Sequence, residues 1–289
     1  MFLLLILTLL ILTNKIKGSC LSLPLFTREI EYGRSFYEDA QAAYCKETSI
    51  ENFYKPYLNC SNLDFFEYYN VSNAEAFIIR SGGTMIVSIA GTDPNDIQDI
   101  IADITNISPV NMGITITHEA VLVGSAFYNH ADRLYGNISN AIQNHQSFLT
   151  RLIFTGHSLG GAMAQIISIK LHSSGIIERG FEVVTFNSPC AGNMYVGEYL
   201  EMATKSTVSG QSQVRMYIDG GDIISLIPRW HFLLGCPLPL TTTKCLWAPI
   251  KNIINTGSFG GNFIESHSCI YGEKYDCPVG TKRQCSWKL

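Results

Sequence analysis

No two of the nine cysteines form a Cys-x2-Cys pair, so the usual spacing of a structural zinc site is missing and no metal is expected. Internal repeats and long low-complexity stretches are also lacking, which argues against a repeat architecture. Basic residues are outnumbered, 20 Lys and Arg against 24 Asp and Glu for a net charge of −4, and they are scattered along the chain. That distribution excludes the electrostatic footprint of a nucleic-acid-binding protein. The apolar run from Phe2 to Leu12, broken only by Thr8, is too short to span a bilayer comfortably.

The same run has the length of a signal-peptide core, and Ile16 and Gly18 make a tolerable cleavage site before Ser19. Residues 1–18 are therefore expected to be a secretion signal and residues 19–289 a single domain. Lys15 and Lys17 follow the run instead of preceding it, which keeps an uncleaved membrane anchor as the alternative. Nine cysteines agree with an oxidising compartment. Cys236 with Cys245, Cys277 with Cys285, and Cys45 with Cys60 are close enough in sequence to close small loops. Cys20 is a candidate partner of Cys269, which leaves Cys190 as the odd cysteine. Sequons at Asn59, Asn70, Asn106 and Asn137 fit secretion as well.

With 289 residues, 46% of them hydrophobic, the chain can bury the core of one large domain. Apolar and aromatic residues recur at helical spacing from Arg28 to Cys45, Phe36, Tyr37, Ala40 and Tyr44 among them. Residues 75–80 and 84–90 flank Ser81-Gly82-Gly83 and read as a hairpin. Further strands are expected at 151–155, 182–187 and 213–218, and helices at about 119–144, 159–173 and 192–203. Buried β-rich runs alternating with helices predict a mostly parallel sheet with helices on both faces, an α/β fold. From about Asp219 to Gly261, prolines and glycine pairs interrupt every period.

Residues 153–161, Ile-Phe-Thr-Gly-His-Ser-Leu-Gly-Gly, place Gly-x-Ser-x-Gly where a strand turns into a helix. In that context the pentapeptide reads as a nucleophile elbow with Ser158 at its tip. Gly156 and Gly160 let strand and helix approach closely, and the helix opening after Ser158 aims backbone N–H groups at any oxyanion formed there. A serine nucleophile requires a histidine base and an orienting carboxylate, in the chain order Ser, acid, His for this architecture. Three histidines follow Ser158: His172, His231 and His267. His172 lies within the helix leaving the elbow and cannot fold back, so His267 is the first candidate and His231 the reserve. The strand ending at Ile218 runs into Asp219-Gly-Gly-Asp222, and either carboxylate lies where open α/β sheets place their sites. One oxyanion donor is the N–H of Leu159. The other is expected from Thr92, in the Gly91-Thr92-Asp-Pro loop after the strand 84–90.

These motifs resemble the class 3 lipases, a group that includes secreted fungal triacylglycerol lipases. The resemblance runs from about residue 36 to residue 271. It covers Ile89-Ala-Gly-Thr92, Gly156-His-Ser-Leu-Gly160, Asn187-Ser-Pro-Cys-Ala-Gly-Asn193, Asp222-Ile-Ile-Ser-Leu-Ile-Pro228 and His267. It implies an α/β-hydrolase fold, and it selects Asp222 over Asp219 and His267 over His231. It also implies a mobile helical lid after the oxyanion loop. The matching segment, about 93–105, has Ile97, Ile100, Ile101 and Ile104 on one helical face. The chain departs from the family pattern at Ala90, and at Ala120-Val121 after His118, positions that bear on packing and substrate preference.

The expected protein is thus a secreted serine esterase acting on lipid esters at a lipid–water interface. Ser158, Asp222 and His267 would form its triad, Thr92 and Leu159 its oxyanion hole, and no cofactor would be needed. Triacylglycerol is the expected substrate and phospholipid, through phospholipase A1 chemistry, the alternative. A binding module that keeps the fold without turnover would be expected to lose a member of the triad, and all three are present. A peptidase is disfavoured by the apolar lid segment.

Overall fold

The computed structural model describes residues 28–45, 50, 65–92, 108–178, 180–218, 222, 253–255, 269–270 and 273–274. The first helix, α1, spans Arg28–Ala42. Strands β1 (Phe65–Val71), β2 (Ala74–Ser81) and β3 (Thr84–Ile89) follow, then β4 (Pro109–Ile116) and β5 (Glu119–Gly124). Next come α2 (Ser125–His145), β6 (Arg151–His157), α3 (Leu159–Ser173), β7 (Glu182–Phe186), α4 (Met194–Ala203), β8 (Val214–Ile218) and β9 (Ile253–Asn255).

Seven strands form one sheet in the order β1-β2-β3-β6-β7-β8-β9. The pairs β1/β2 and β2/β3 are antiparallel, whereas β3/β6, β6/β7, β7/β8 and β8/β9 are parallel. The expected mostly parallel sheet with helices on both faces is present. Its inner strands carry apolar side chains on both faces because neither face meets water. Met85, Val87, Ile89, Leu152, Phe154 and Val183 face a core shared with α2, α3 and α4. Ile86, Ile153, Val184, Phe186 and Tyr217 face the opposite way, against Phe36, Tyr37 and Ala40 of α1. Full burial of each large side chain is worth about 1.5–3 kcal/mol, so the two layers fix the sheet between them.

The helices differ in character because they lie at different depths. In α2 the buried residues Phe127, Ala131, Leu134, Ile138 and Ile142 form one stripe, as a surface helix requires. In α3 nearly every residue from Leu159 to Ile169 is buried, so it is a core helix apolar all round. Helix α1 is pinned at the far end of the sheet by an ionic cluster. Arg151 donates from Nε to Glu182 Oε1 at 2.6 Å and from a terminal nitrogen to the Tyr32 hydroxyl at 2.8 Å, while Tyr32 donates to Glu182. The Arg215 guanidinium stacks over the Tyr32 ring, 4.4 Å from its centroid.

The expected elements recur within a few residues, with one correction. Residues 119–124, assigned from sequence to the start of a long helix, form β5, and the helix begins at Ser125. Val121 and Val123 alternate inward with the period of a strand, and the pairing to β4 places Val110 opposite Val123. Groups of the Asn187–Asn193 loop complete the hydrogen bonding: Gly124 N–H donates to Ala191 O and Leu122 N–H to the Asn193 side chain. Strand β1 was likewise not expected. Its register on β2 follows from the two-residue turn Ser72-Asn73, where both residues have positive φ, as a type I′ turn demands.

Cys190, the odd cysteine of the sequence reading, carries a buried thiol 3.1 Å from the Gly192 carbonyl. Asn70 is exposed on the edge strand β1 and Asn137 half-buried on α2. Asn59 and Asn106 lie outside the described residues, as do the N-terminal segment 1–18 and the segment 93–105. Among the described residues no helix is long and apolar enough to cross a membrane.

Candidate active site

Parallel pairing puts the C-terminal ends of β3, β6, β7 and β8 along one edge of the sheet, where open α/β sheets hold their sites. The register places Ile89 opposite Gly156, so Gly91-Thr92 after β3 lies beside His157-Ser158 after β6. Thr92 and the Leu159 N–H, far apart in sequence, therefore issue from neighbouring strand ends.

Ser158 has φ 55° and ψ −129°, a conformation L-residues rarely adopt. Its surroundings hold it there. The Ser158 N–H donates to Phe186 O of β7 at 3.0 Å, and its carbonyl accepts from Gly161 N–H at 3.0 Å as α3 begins. A Cβ on Gly156 would meet the Gly160 carbonyl at 2.5 Å, and one on Gly160 would meet the Ile89 carbonyl at 2.1 Å. Strand, helix and the neighbouring strand thus meet at backbone contact, which only glycine allows. Strain of this kind, typically about 1–3 kcal/mol, persists where the fold over-determines it and clusters at functional sites.

At the first turn of α3 the Leu159 N–H has no acceptor within the helix, and the positive end of the helix dipole adds to its pull on an anion. Ser158 is 1% exposed and Thr92 half-buried, so charge developing there would be poorly screened by water. Asp222 is also 1% exposed and follows β8, two strands from β6. His267, its reserve His231, and Asp219 lie outside the described residues. His172 sits in α3 with its ring nitrogen 2.7 Å from the Tyr199 hydroxyl of α4, consistent with its exclusion as the base.

Two residues without a site role in the sequence reading hold remote segments in place, and Tyr44 stands beside the elbow. Tyr44, counted there only as one more aromatic of a helical period, places its hydroxyl 2.9 Å from His157 Nδ1 and 3.2 Å from the His157 carbonyl. Asn193 accepts from Leu122 N–H and donates to Ala120 O at 2.9 Å, tying β5 to the loop after β7. No local pattern reveals the role of either residue, because each acts on a partner remote in sequence.

Solved structures share this fold. A lipase from Rhizopus microsporus var. chinensis superposes with a TM-score of 0.62 at 16% identity, over 90% of this chain and 92% of that one. The Lip2 lipase of Yarrowia lipolytica gives 0.55 at 19% identity, over 73% and 78%. A triacylglycerol lipase whose catalytic centre is a serine protease triad gives 0.51 at 15% identity, over 71% and 76%. At these identities the likeness is one of fold, that of the α/β-hydrolases. Family membership rests on sequence: the model of the family described as Lipase (class 3) matches residues 86–232, from β3 through the Gly91-Thr92 loop and the Ser158 turn to beyond Asp222. With that match over more than half of its length, the chain belongs to the class 3 lipases and is a carboxylic ester hydrolase.

Proposed function

We propose that this protein is a secreted triacylglycerol lipase that works through Ser158, Asp222 and His267. The observation that carries the reading is the strained backbone of Ser158 at the mouth of α3, beside the loop bearing Thr92. His267 removes the Ser158 proton as Oγ attacks the ester carbonyl, and Asp222 holds the imidazole in the required tautomer. The tetrahedral oxyanion is bound by the N–H groups of Leu159 and Thr92. His267 then protonates the departing alcohol, water deprotonated by the same imidazole attacks the acyl-enzyme, and fatty acid leaves. The scheme uses no metal or organic cofactor.

The fold relative with a serine protease triad supports this order of events, and its substrate class supports acylglycerol. The isoleucine spacing of 93–105 supports its reading as a lid, which would uncover the serine when that face turns to a lipid surface. The nine cysteines support an oxidising, extracellular compartment, which the proposed signal at residues 1–18 would reach.

The test is hydrolysis of emulsified trioctanoin and of phosphatidylcholine vesicles by the wild type and by Ser158→Ala. The wild type should release fatty acid faster from the triglyceride, and the variant should fold yet lose at least about 10³-fold in rate. Turnover retained in Ser158→Ala would reject the nucleophile, and a preference for phospholipid would reject the substrate.

A further inference from the structure

One hydroxyl touches the residues that lead into the two arms of the proposed oxyanion hole. Tyr44 lies just beyond α1, with its oxygen 2.9 Å from His157 Nδ1 and 3.2 Å from the His157 carbonyl. A Cβ on Gly91 would stand 2.2 Å from that same oxygen and 2.7 Å from the His157 carbonyl. The phenol, the His157 peptide and the Gly91 backbone are therefore in mutual contact. His157 immediately precedes Ser158, and Gly91 immediately precedes Thr92.

The chemistry of the contact is directional. A phenol has one hydrogen to donate and lone pairs to accept with. Its hydroxyl lies within hydrogen-bond distance of both the carbonyl and the ring nitrogen of the one residue, His157. His157 is 2% exposed, and the two contacts tie the peptide entering the elbow to the phenol. On its other side the phenol oxygen is the surface against which Gly91 rests, and only a residue without a side chain can come so close. An oxyanion hole is sensitive to such placement, because its donors must sit about 2.7–3.1 Å from where the oxyanion forms.

The geometry points to Tyr44 as a positioning residue for the oxyanion hole: its hydroxyl is the spacer that sets the Thr92 loop against the Ser158 elbow. The inference rests on the serine-esterase reading above, and it adds to that reading a residue from outside the parallel sheet. Tyr44 touches no substrate. It acts through His157 and Gly91, and losing it costs transition-state stabilisation more than substrate binding.

The test compares full-length wild type and Tyr44→Phe with p-nitrophenyl butyrate and with an alkyl trifluoromethyl ketone, which adds to a serine as a tetrahedral adduct. The variant should lose about tenfold in kcat, since ångström misplacements reach about 10²-fold. KM should stay within about twofold, and the ketone inhibition constant should rise in proportion to the fall in kcat/KM. Unchanged kcat and ketone affinity, with only a lower Tm, would overturn the proposal and reduce Tyr44 to a packing residue. Gly91→Ala is the second variant: it keeps Tyr44 and drives the loop off its hydroxyl, with the same losses expected. If Tyr44→Phe fails to fold, wild-type kcat and ketone affinity in Gly91→Ala overturn the proposal. Fluorophosphonate labelling of the wild type separates the two readings. Failure to label Ser158 defeats the esterase assignment itself, whereas labelling with wild-type kinetics in both variants defeats the role of Tyr44 alone.

Discussion

Gly160 rests on Ile89 so closely that a Cβ at residue 160 would lie 2.1 Å from the Ile89 carbonyl oxygen. The obstructing atom is backbone of an inner strand, buried and hydrogen-bonded in the sheet, so it cannot swing aside as a side-chain tip would. Gly160→Ala should therefore destabilise the protein by at least about 3 kcal/mol, beyond the usual range for overpacking. Gly136, exposed on α2 with nothing within 4 Å of its would-be Cβ, is the control. There an alanine should stabilise by about 0.5–1 kcal/mol through helix propensity and a less disordered unfolded chain. Urea unfolding of the two variants beside the wild type checks both signs.

The backbone of Ser158 makes a second, separable prediction. Both Ser158→Ala and Ser158→Gly remove the hydroxyl, but only glycine is comfortable at φ 55°, ψ −129°. Relief of about 1–3 kcal/mol of strain, less the greater entropy glycine loses on folding, should make the glycine variant about 1 kcal/mol more stable than the alanine variant. Equal melting temperatures for the two would show that the elbow stores no strain.

At the other end of the sheet, Tyr32 links stability to alkaline pH. Burial, followed by the charge of Glu182, pushes the Tyr32 phenol well above its ordinary value of 10.0, against the pull of Arg151 and Arg215. A group whose pKa is raised on folding contributes stability that is complete below its unfolded pKa and fades above it, because the unfolded chain ionises first. The contribution of Tyr32 should be full below about pH 10 and decline as pH rises beyond. Other tyrosines and the lysines titrate in the same range, so the informative quantity is a difference. Tyr32→Phe should be less stable at neutral pH by about 1 kcal/mol per lost hydrogen bond, yet lose less further stability between pH 9 and pH 11. Urea midpoints of both proteins across that range measure it, and parallel curves would refute the linkage.

Much of the site was legible because its signals are local. A strand that stops at a glycine, a serine, and a helix opened by two glycines occupy consecutive residues, so the elbow could be read from spacing alone. Helix α3 and the hairpin of β2 and β3 were equally plain, since each rests on periodicity and turn residues within a short window. The start of α2 was misplaced for the same reason inverted. The alternation in residues 119–124 is too short to stand out beside the helical run that follows, and they become a strand because β4, Asn193 and Ala191 supply hydrogen-bond partners.

What the amino-acid order alone determined is therefore the inner strands and main helices, the elbow and the residue types able to do ester chemistry, because neighbours along the chain set propensity, period and turn geometry. Folding in three dimensions decided the rest: that the loop after β3 comes to lie beside the elbow, through the pairing of Ile89 with Gly156, and that Tyr44 reaches His157 across 113 residues. The reason is physical. Which remote groups meet depends on how whole faces pack, α1 on one side of the sheet and α3 on the other, and no window of sequence contains both surfaces.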